Sequence, residues 1–117
     1  MEKNNNNFLI DSYVYTPIKK EIEIDNIISF HYYEYTENFD GLEESHDFWE
    51  LIYANSGTIV CKEGEKEYNL KQGELIVHPP LARHKLIALG KKSSSLIVSF
   101  TCDGLYKYKT KEKVIKM

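Results

Sequence analysis

Short runs of β-branched and aromatic residues follow one another along this chain, and segments rich in turn-forming residues separate them. No segment before residue 104 repeats its apolar positions with a helical period. Many short strands at close, regular spacing are typical of sandwiches and barrels. The sequence therefore predicts an all-β fold with strands at residues 8–15, 21–25, 27–35, 48–54, 58–62, 67–70, 74–78, 85–89 and 95–101.

Turn signals predict where these strands end. Asn-Ser-Gly at residues 55–57 predicts a hairpin-type turn, and Gly-Lys-Lys at 90–92 predicts another. Residues 38–41 carry a third turn signal. Pro79 and Pro80 are expected to end the strand at 74–78, because a proline nitrogen donates no backbone hydrogen bond.

The two ends of the chain differ from its middle. Residues 1–7 are polar and are expected to be disordered. The tail from residue 104 has weak helical character, with Leu105, Tyr108 and Val114 as apolar positions. The expected organisation is a disordered N-terminus at 1–7, a barrel at 8–103, and the start of a C-terminal helical or linker segment at 104–117.

Length and charge restrict the partners of the chain. Its 117 residues correspond to one domain. The net charge of −3 does not fit the basic face of a nucleic-acid-binding domain. The lysine-rich tail at 107–116 is better interpreted as a solvated end than as a nucleic-acid contact.

Cysteine content and hydropathy predict the compartment. Cys61 and Cys102 match no spacing motif and are expected to be reduced thiols. The N-terminus has no apolar signal core, and no run reaches transmembrane length. The sequence therefore predicts a cytoplasmic protein without a membrane partner.

A candidate site arises from three residues on two separated segments. His46 and Glu50 stand at even spacing, so a strand would place them on one face. His84 from a partner strand would complete two histidines and a carboxylate, a set that binds zinc, iron, nickel or manganese. Glu44 could be a fourth ligand. The alternative is a polar network or a metal-free pocket that binds a sugar or carboxylate directly.

Three further residues are candidate ligand-binding residues, each with a structural alternative. His78 could face inward, or serve only as the strand end before the prolines. Phe48 could form an apolar pocket wall, or pack in the core. Arg83, the only arginine, could bind a ligand carboxylate, or form a surface salt bridge. No nucleophile triad and no glycine-rich phosphate loop is present. The sequence also offers no clear general acid or base beyond the ligand set, which disfavours an enzyme.

The spacing of these residues resembles the two motifs of the cupin superfamily. Glu50, six residues and Gly57 are similar to the end of the first motif, with His46 at its second histidine and Glu44 at its first. Gly73, five residues and Pro79 are similar to the start of the second motif, which places His84 at its histidine. Leu81 stands where that motif has glycine, and Ala88 stands where it has a polar residue. The resemblance implies a small antiparallel, jelly-roll-like β-barrel.

Three phrases resemble a narrower group, the N-terminal sensing domains of AraC-type transcription regulators. They are HDFWELIY at 46–53, LKQGELIVHP at 70–79 and SFTC at 99–102, and the resemblance extends over about residues 8–110. Such proteins carry a helix-turn-helix pair after the barrel. This chain ends at Met117 without one, so we expect an excised sensing domain or a stand-alone relative.

The resemblance implies a function in ligand sensing. A small-molecule effector such as a sugar would bind in the barrel, a homodimer would form, and DNA would be contacted only through the helix-turn-helix module. The alternatives are a metal-dependent cupin enzyme, a dioxygenase or isomerase, and a stand-alone carbohydrate-binding cupin.

Overall fold

The computed structural model describes residues 24–102 and 113–117, and all the regular structure in this part of the chain is strand. Every strand pairing is antiparallel, which confirms the predicted all-β class. The strands are β1 Asn26–Glu34, β2 Phe39–Asp40, β3 Trp49–Glu63, β4 Lys66–Lys71, β5 Glu74–His78, β6 His84–Thr101 and β7 Val114–Lys116.

Two long strands, β3 and β6, form the centre of the fold. They pair along nearly their whole lengths, from Trp49 opposite Phe100 to Glu63 opposite His84. The shorter strands attach to different halves of this pair. β1 and β5 lie against one half, β2 and β4 lie against the other, and β7 pairs with β5.

Both long strands are irregular in the middle, where the two halves meet. The register between them shifts twice between Ala54 and Thr58. Gly57 has a φ of 72°, and Gly90 and Lys92 have φ values of 68° and 62°. Bulges of this kind bend a strand and increase its twist. The bend lets one pair of strands contribute to both sides of a barrel-like sheet.

Alternate residues of β3 point into the enclosed core. Ile52, Ala54, Ile59 and Cys61 are almost fully buried there, together with Leu70 of β4. Trp49 and Leu51 point the other way and pack against Phe100 and Cys102. The period of two is the one expected for a strand with two different faces. Cys61 and Cys102 lie in these separate clusters and form no disulfide with each other.

The turns predicted at 55–57 and 90–92 do not end strands, so this part of the prediction is wrong. The strands predicted at 48–54 and 58–62 are parts of the single strand β3, which begins at Trp49, and those predicted at 85–89 and 95–101 are parts of β6. The turn-forming residues are real signals, but they mark a bulge inside a continuous ladder. A local sequence signal for positive φ does not distinguish a bulge from a hairpin.

Other predicted elements are confirmed within a few residues. The strands at 27–35, 67–70 and 74–78 correspond to β1, β4 and β5, and the strand at 74–78 ends at the prolines as expected. Residues 38–41 contain the two-residue strand β2 as well as a turn. The strand predicted at 8–15 lies outside the described residues, as does most of the one at 21–25.

The C-terminal prediction needs a correction. Val114 was expected in a helical segment but lies in strand β7, which pairs with Ile76 of β5. The backbone hydrogen bond from Met117 N–H to Gly73 O continues this pairing. An open edge of β5 accepts a strand regardless of the weak helical character of the tail, because the ladder satisfies backbone groups. Leu105 and Tyr108 lie outside the described residues.

The bend at Gly57 leads to a stability prediction. A Cβ on residue 57 would meet Ser93 Oγ and approach Ser93 Cα to 2.8 Å, and its φ is left-handed. We expect Gly57→Ala to lower the free energy of unfolding by roughly 2–4 kcal/mol, from backbone strain and overpacking. Urea unfolding measures this. Gly64→Ala is the matched control, because Gly64 also has positive φ but open space around it. An equal loss in the two variants would contradict the packing argument.

Candidate functional site

Four of the residues singled out in the sequence converge at one end of the fold. One ligand atom from each of Glu44, His46, Glu50 and His84 lies within 4.8 Å of the others. Glu50 is the second residue of β3, and His84 is the first residue of β6. The convergence of this set was predicted, although not by the route expected for His46.

His46 reaches the cluster from a loop and not from a strand. β3 begins at Trp49, so His46 lies outside the strand. The prediction that His46 and Glu50 share one face of a strand is therefore wrong, although the two side chains do meet. Instead, the backbone of a second loop holds His46 in place, because Leu81 N–H donates to His46 O at 2.6 Å. Leu81 has a φ of 68°, so this position keeps the backbone conformation that favours glycine.

Glu44 is positioned by a short piece of antiparallel pairing with His84. The two residues exchange backbone hydrogen bonds of 2.8 and 2.9 Å. The Glu44 carboxylate is largely exposed, and its Oε1 lies 4.0 Å from His84 Nε2. Glu44 therefore lies at the solvent side of the cluster, where it could complete a coordination shell.

Backbone carbonyls determine the orientation of both histidine rings. His46 Nδ1 lies 3.0 Å from Phe48 O, and His84 Nδ1 lies 3.0 Å from Ala82 O. A carbonyl oxygen only accepts hydrogen bonds, so each Nδ1 carries a proton. In a neutral ring, the Nε2 atom then presents a lone pair. This is the arrangement found in histidines that bind metals.

Both Nε2 atoms face the same carboxylate. His46 Nε2 lies 3.2 Å from Glu50 Oε1, and His84 Nε2 lies 3.2 Å from Glu50 Oε2. Glu50 and His84 are buried. Among the described residues, no partner gives the buried His84 Nε2 a hydrogen bond of good geometry. With both rings neutral, two lone pairs would face the carboxylate and repel it, so the arrangement favours a positive charge, either as protons on the rings or as a cation between the three side chains.

The electrostatics of Glu50 and His84 agree with that preference. Burial alone would raise the pKa of Glu50, but His84 together with His46 and His78 outweighs it and lowers the pKa. Burial alone would lower the pKa of His84, but Glu50 together with Ala82 O and Glu44 outweighs it and raises the pKa. The pair therefore favours a carboxylate with a cation beside it, whether a proton or a metal ion.

His78 lies against the cluster, next to His84. It is fully buried, and its ring stacks on the ring of His84 with centroids 4.5 Å apart. Its Nδ1 lies 2.7 Å from Glu63 Oε1. Burial lowers the pKa of His78, although the Glu63 carboxylate opposes this. Partial burial would raise the pKa of Glu63, but His78 and Lys113 outweigh it and lower the pKa. A neutral His78 therefore donates from Nδ1 to an ionised Glu63.

The remaining candidates lie at the edge of the site. Phe48 stacks on the His46 ring with centroids 3.9 Å apart. Arg83 is exposed and pairs with Glu43 at 3.2 Å. Arg83 also lines an open cleft of about 660 Å³ beside the cluster, together with Glu63, Lys113 and neighbouring residues. Ala88 lies in the apolar core and not in the site.

Sequence reasoning missed Glu63 and Lys113. Glu63 carried only a turn signal, and Lys113 belonged to a tail interpreted as solvated. Lys113 Nζ lies 3.0 Å from Glu63 Oε1 and donates to Val77 O at 2.6 Å. No local pattern could have identified them, because their positions depend on the bend of β3 and on the pairing of β7.

Cys61 lies in the apolar core and is unsuited to a nucleophilic role. Burial raises the pKa of the Cys61 thiol to about 12, so the nucleophilic thiolate is strongly disfavoured.

Among the described residues, no helix has the length and apolar character needed to span a membrane.

Comparisons with known proteins agree with this architecture. The family model described as a cupin domain matches residues 31–100. A cupin 2 conserved barrel domain protein from Rhodopseudomonas palustris is 26% identical, with a TM-score of 0.56 over 61% of this chain and 50% of that one. The chain thus spans about half the length of that protein. A search of curated proteins found no match.

Two further solved structures share the fold at lower identity. A predicted oxalate decarboxylase from Thermotoga maritima is 17% identical, with a TM-score of 0.60 over 64% of this chain and 67% of that one. KdgF from a Halomonas species is 15% identical, with a TM-score of 0.58 over 77% of this chain and 89% of that one. At these identities the likeness concerns the fold alone.

The coupled pair leads to a prediction for stability as a function of pH in the presence of a chelator. The lowered pKa of Glu50 stabilises the fold above its ordinary value of 4.5, and this is lost as pH falls through the folded-state pKa. The raised pKa of His84 stabilises the fold below its ordinary value of 6.5, and this is lost as pH rises through the folded-state pKa. The pair contributes most between these two values.

We therefore expect Glu50→Gln to lower the free energy of unfolding by about 1–3 kcal/mol near pH 5.5, and by less at pH 8.5. Denaturant unfolding across pH measures this difference. Glu44→Gln is the matched control, because it removes an exposed carboxylate farther from His84. A loss for Glu50→Gln that does not change with pH would contradict the pairing.

Proposed function

The chain belongs to the cupin family, and we propose that it binds a small molecule at a divalent metal ion held by His46, Glu50 and His84. Glu44 serves as a fourth, solvent-side ligand. The finer role that we propose is effector sensing for an AraC-type transcription regulator.

One observation carries the metal proposal: two imidazole Nε2 atoms, each with its Nδ1 on a backbone carbonyl, face one buried carboxylate. Protons would have to occupy both rings to satisfy the two Nε2 atoms, which would place two positive charges beside one carboxylate. A divalent cation accepts all three ligand atoms at once. Zinc, iron, nickel and manganese all accept imidazole and carboxylate ligands.

The bound metal would supply a Lewis-acidic centre for an anionic or hydroxyl-bearing ligand. The protein residues supply the rest of the site. Phe48 and the stacked His46 ring form a flat wall, and Ala82 O holds the His84 ring in orientation. The negative charge of Glu44, near solvent, would disfavour anionic ligands relative to neutral ones.

The sensing role rests on the sequence resemblance to AraC-type domains at residues 46–53, 70–79 and 99–102. Sensing requires that the effector bind one arrangement of the domain better than another. We propose a homodimer, with DNA contacted by a helix-turn-helix module and not by this barrel. The net charge of −3 supports that division of roles, because the barrel offers no excess of positive charge to phosphates.

The second candidate function is a metal-dependent enzyme acting on a small carboxylate. The observation that favours it is the ligand set, since three protein ligands leave open positions on a metal. One structural neighbour is described as a predicted oxalate decarboxylase. Against it, the cluster holds no separate acid or base among the described residues, because each of its polar side chains is used as a ligand.

Metal binding is the first test. We expect one Zn²⁺ per chain by isothermal titration calorimetry, and stabilisation of about 2.7 kcal/mol at a hundredfold excess over Kd. His84→Ala should abolish this binding. His31→Ala is the matched control, because His31 lies on the exposed strand β1 outside the cluster. Full zinc binding by His84→Ala would contradict the proposed site.

A second test separates sensing from catalysis. We expect the metal-loaded protein to bind small hydroxy acids or sugars reversibly and to leave them unchanged, as followed by NMR over hours. Glu44→Gln should alter the relative affinities for anionic and neutral ligands, because it removes the charge at the solvent side. Catalytic turnover of any such ligand that is lost in His84→Ala would overturn the sensing role and favour the enzyme.

A further inference from the structure

A second charged cluster lies directly behind the candidate metal site. It consists of Glu63, His78 and Lys113, and we refer to these three residues as the support cluster. Glu63 Oε1 lies 2.7 Å from His78 Nδ1 and 3.0 Å from Lys113 Nζ. One carboxylate oxygen thus joins a fully buried imidazole to a cation at the edge of the fold.

The support cluster contacts the metal site through a ring stack. The His78 and His84 rings are nearly parallel, at 17°, with centroids 4.5 Å apart. His78 is also directly opposite Glu50 in the pairing of β5 with β3. Its Nε2 is buried, and no described residue forms a hydrogen bond with it. The His78 side chain therefore has one hydrogen bond among the described residues, to Glu63, and this bond and the stack on His84 both restrain its ring.

The support cluster also contacts the C-terminal strand. Lys113 directly precedes β7, and its Nζ donates to Val77 O of β5 at 2.6 Å. β7 pairs with β5 for only three residues, so few backbone hydrogen bonds hold it in place. The side-chain contacts of Lys113 add to these backbone bonds and to the packing of Val114 against the core.

We propose that the support cluster couples metal binding at His84 to the docking of strand β7. The proposal rests on the proposed function, because it describes how a metal ion bound at the same site would affect the C-terminal end of the barrel. Glu63, His78 and Lys113 are positioning residues: through the His78 ring they support one face of the His84 ring, whose Nδ1 bonds to Ala82 O, and they are not themselves ligands.

The physical reason is the need for a fixed ring. A metal-binding histidine must keep its ring orientation. Residues that are not ligands can maintain this orientation, and they thereby strengthen metal binding. A metal ion in turn restrains His84, and through the stack it restrains His78 and Glu63. By linkage, a strand that tightens metal binding is itself held more tightly when the metal is bound.

Simple charge repulsion makes the opposite prediction for one variant. If Lys113 acted only through space, removing its positive charge would strengthen binding of a cation nearby. If Lys113 supports the ring, its removal weakens that binding. Lys113→Met separates the two, because methionine keeps an unbranched apolar side chain and removes the charge.

The experiment compares Zn²⁺ affinity by isothermal titration calorimetry in wild type, Lys113→Met and Lys116→Met. We expect Lys113→Met to weaken Zn²⁺ binding roughly fivefold or more. Lys116→Met is the matched control, because Lys116 is an exposed lysine in the same terminal segment, and it should bind within twofold of wild type. Equal or tighter binding by Lys113→Met would overturn the proposal.

A second readout does not depend on affinity. In wild type, saturating Zn²⁺ should slow amide hydrogen exchange at residues 114–117, and in Lys113→Met and Glu63→Gln this slowing should be lost. The same small change in all three proteins would overturn the coupling. Folded wild-type protein that binds no Zn²⁺ would instead refute the metal site itself, so the two failures are distinguishable.

Discussion

The bend in the paired strands β3 and β6 is the constraint on which the rest of the structure depends. Glu50 and Glu63 are thirteen residues apart on β3, which would separate them by about 40 Å in a straight strand. Yet His78, the cross-strand neighbour of Glu50, contacts Glu63, and His84, opposite Glu63, contacts Glu50. Only a strand that curves back on itself brings both ends to one site.

The bend itself depends on close packing of two backbones. Gly57 lies against Ser93 with no room for a Cβ, and the serine hydroxyl donates to Leu89 O at 2.8 Å. Ser94 and Ser56 share a further hydroxyl contact of 2.6 Å. Small polar side chains thus bond to backbone groups at the bulges, as Ser56 Oγ also does by donating to Lys92 O at 2.8 Å.

Around the site, three histidines are divided between two carboxylates. His46 and His84 direct Nε2 at Glu50, whereas His78 directs Nδ1 at Glu63. Stacking keeps His78 and His84 in contact, and burial opposes a charge on both at once, in line with the lowered pKa of His78 and the raised pKa of His84. This division leaves one face of the cluster for a cation and the other for structural support.

Local patterns in the sequence determined the all-β class and most of the metal-site candidates. Alternation along residues 49–54 separates a core face from an outer face, and the spacing of Glu50, Gly57, Gly73, Pro79 and His84 is similar to that of cupins. These features could be predicted because strand periodicity and motif spacing are properties of neighbouring residues. The turn residues at 55–57 were also visible, but not their role as a bulge.

Only the tertiary structure decided how these parts meet. His46 enters from a loop, Glu63 and Lys113 join the site from a predicted turn and tail, and Val114 pairs as a strand. None of this follows from local sequence, because it depends on the curvature of β3 and on an open edge of β5. Contacts between residues distant in the chain are set by the closure of the whole sheet, and only the folded backbone determines that closure.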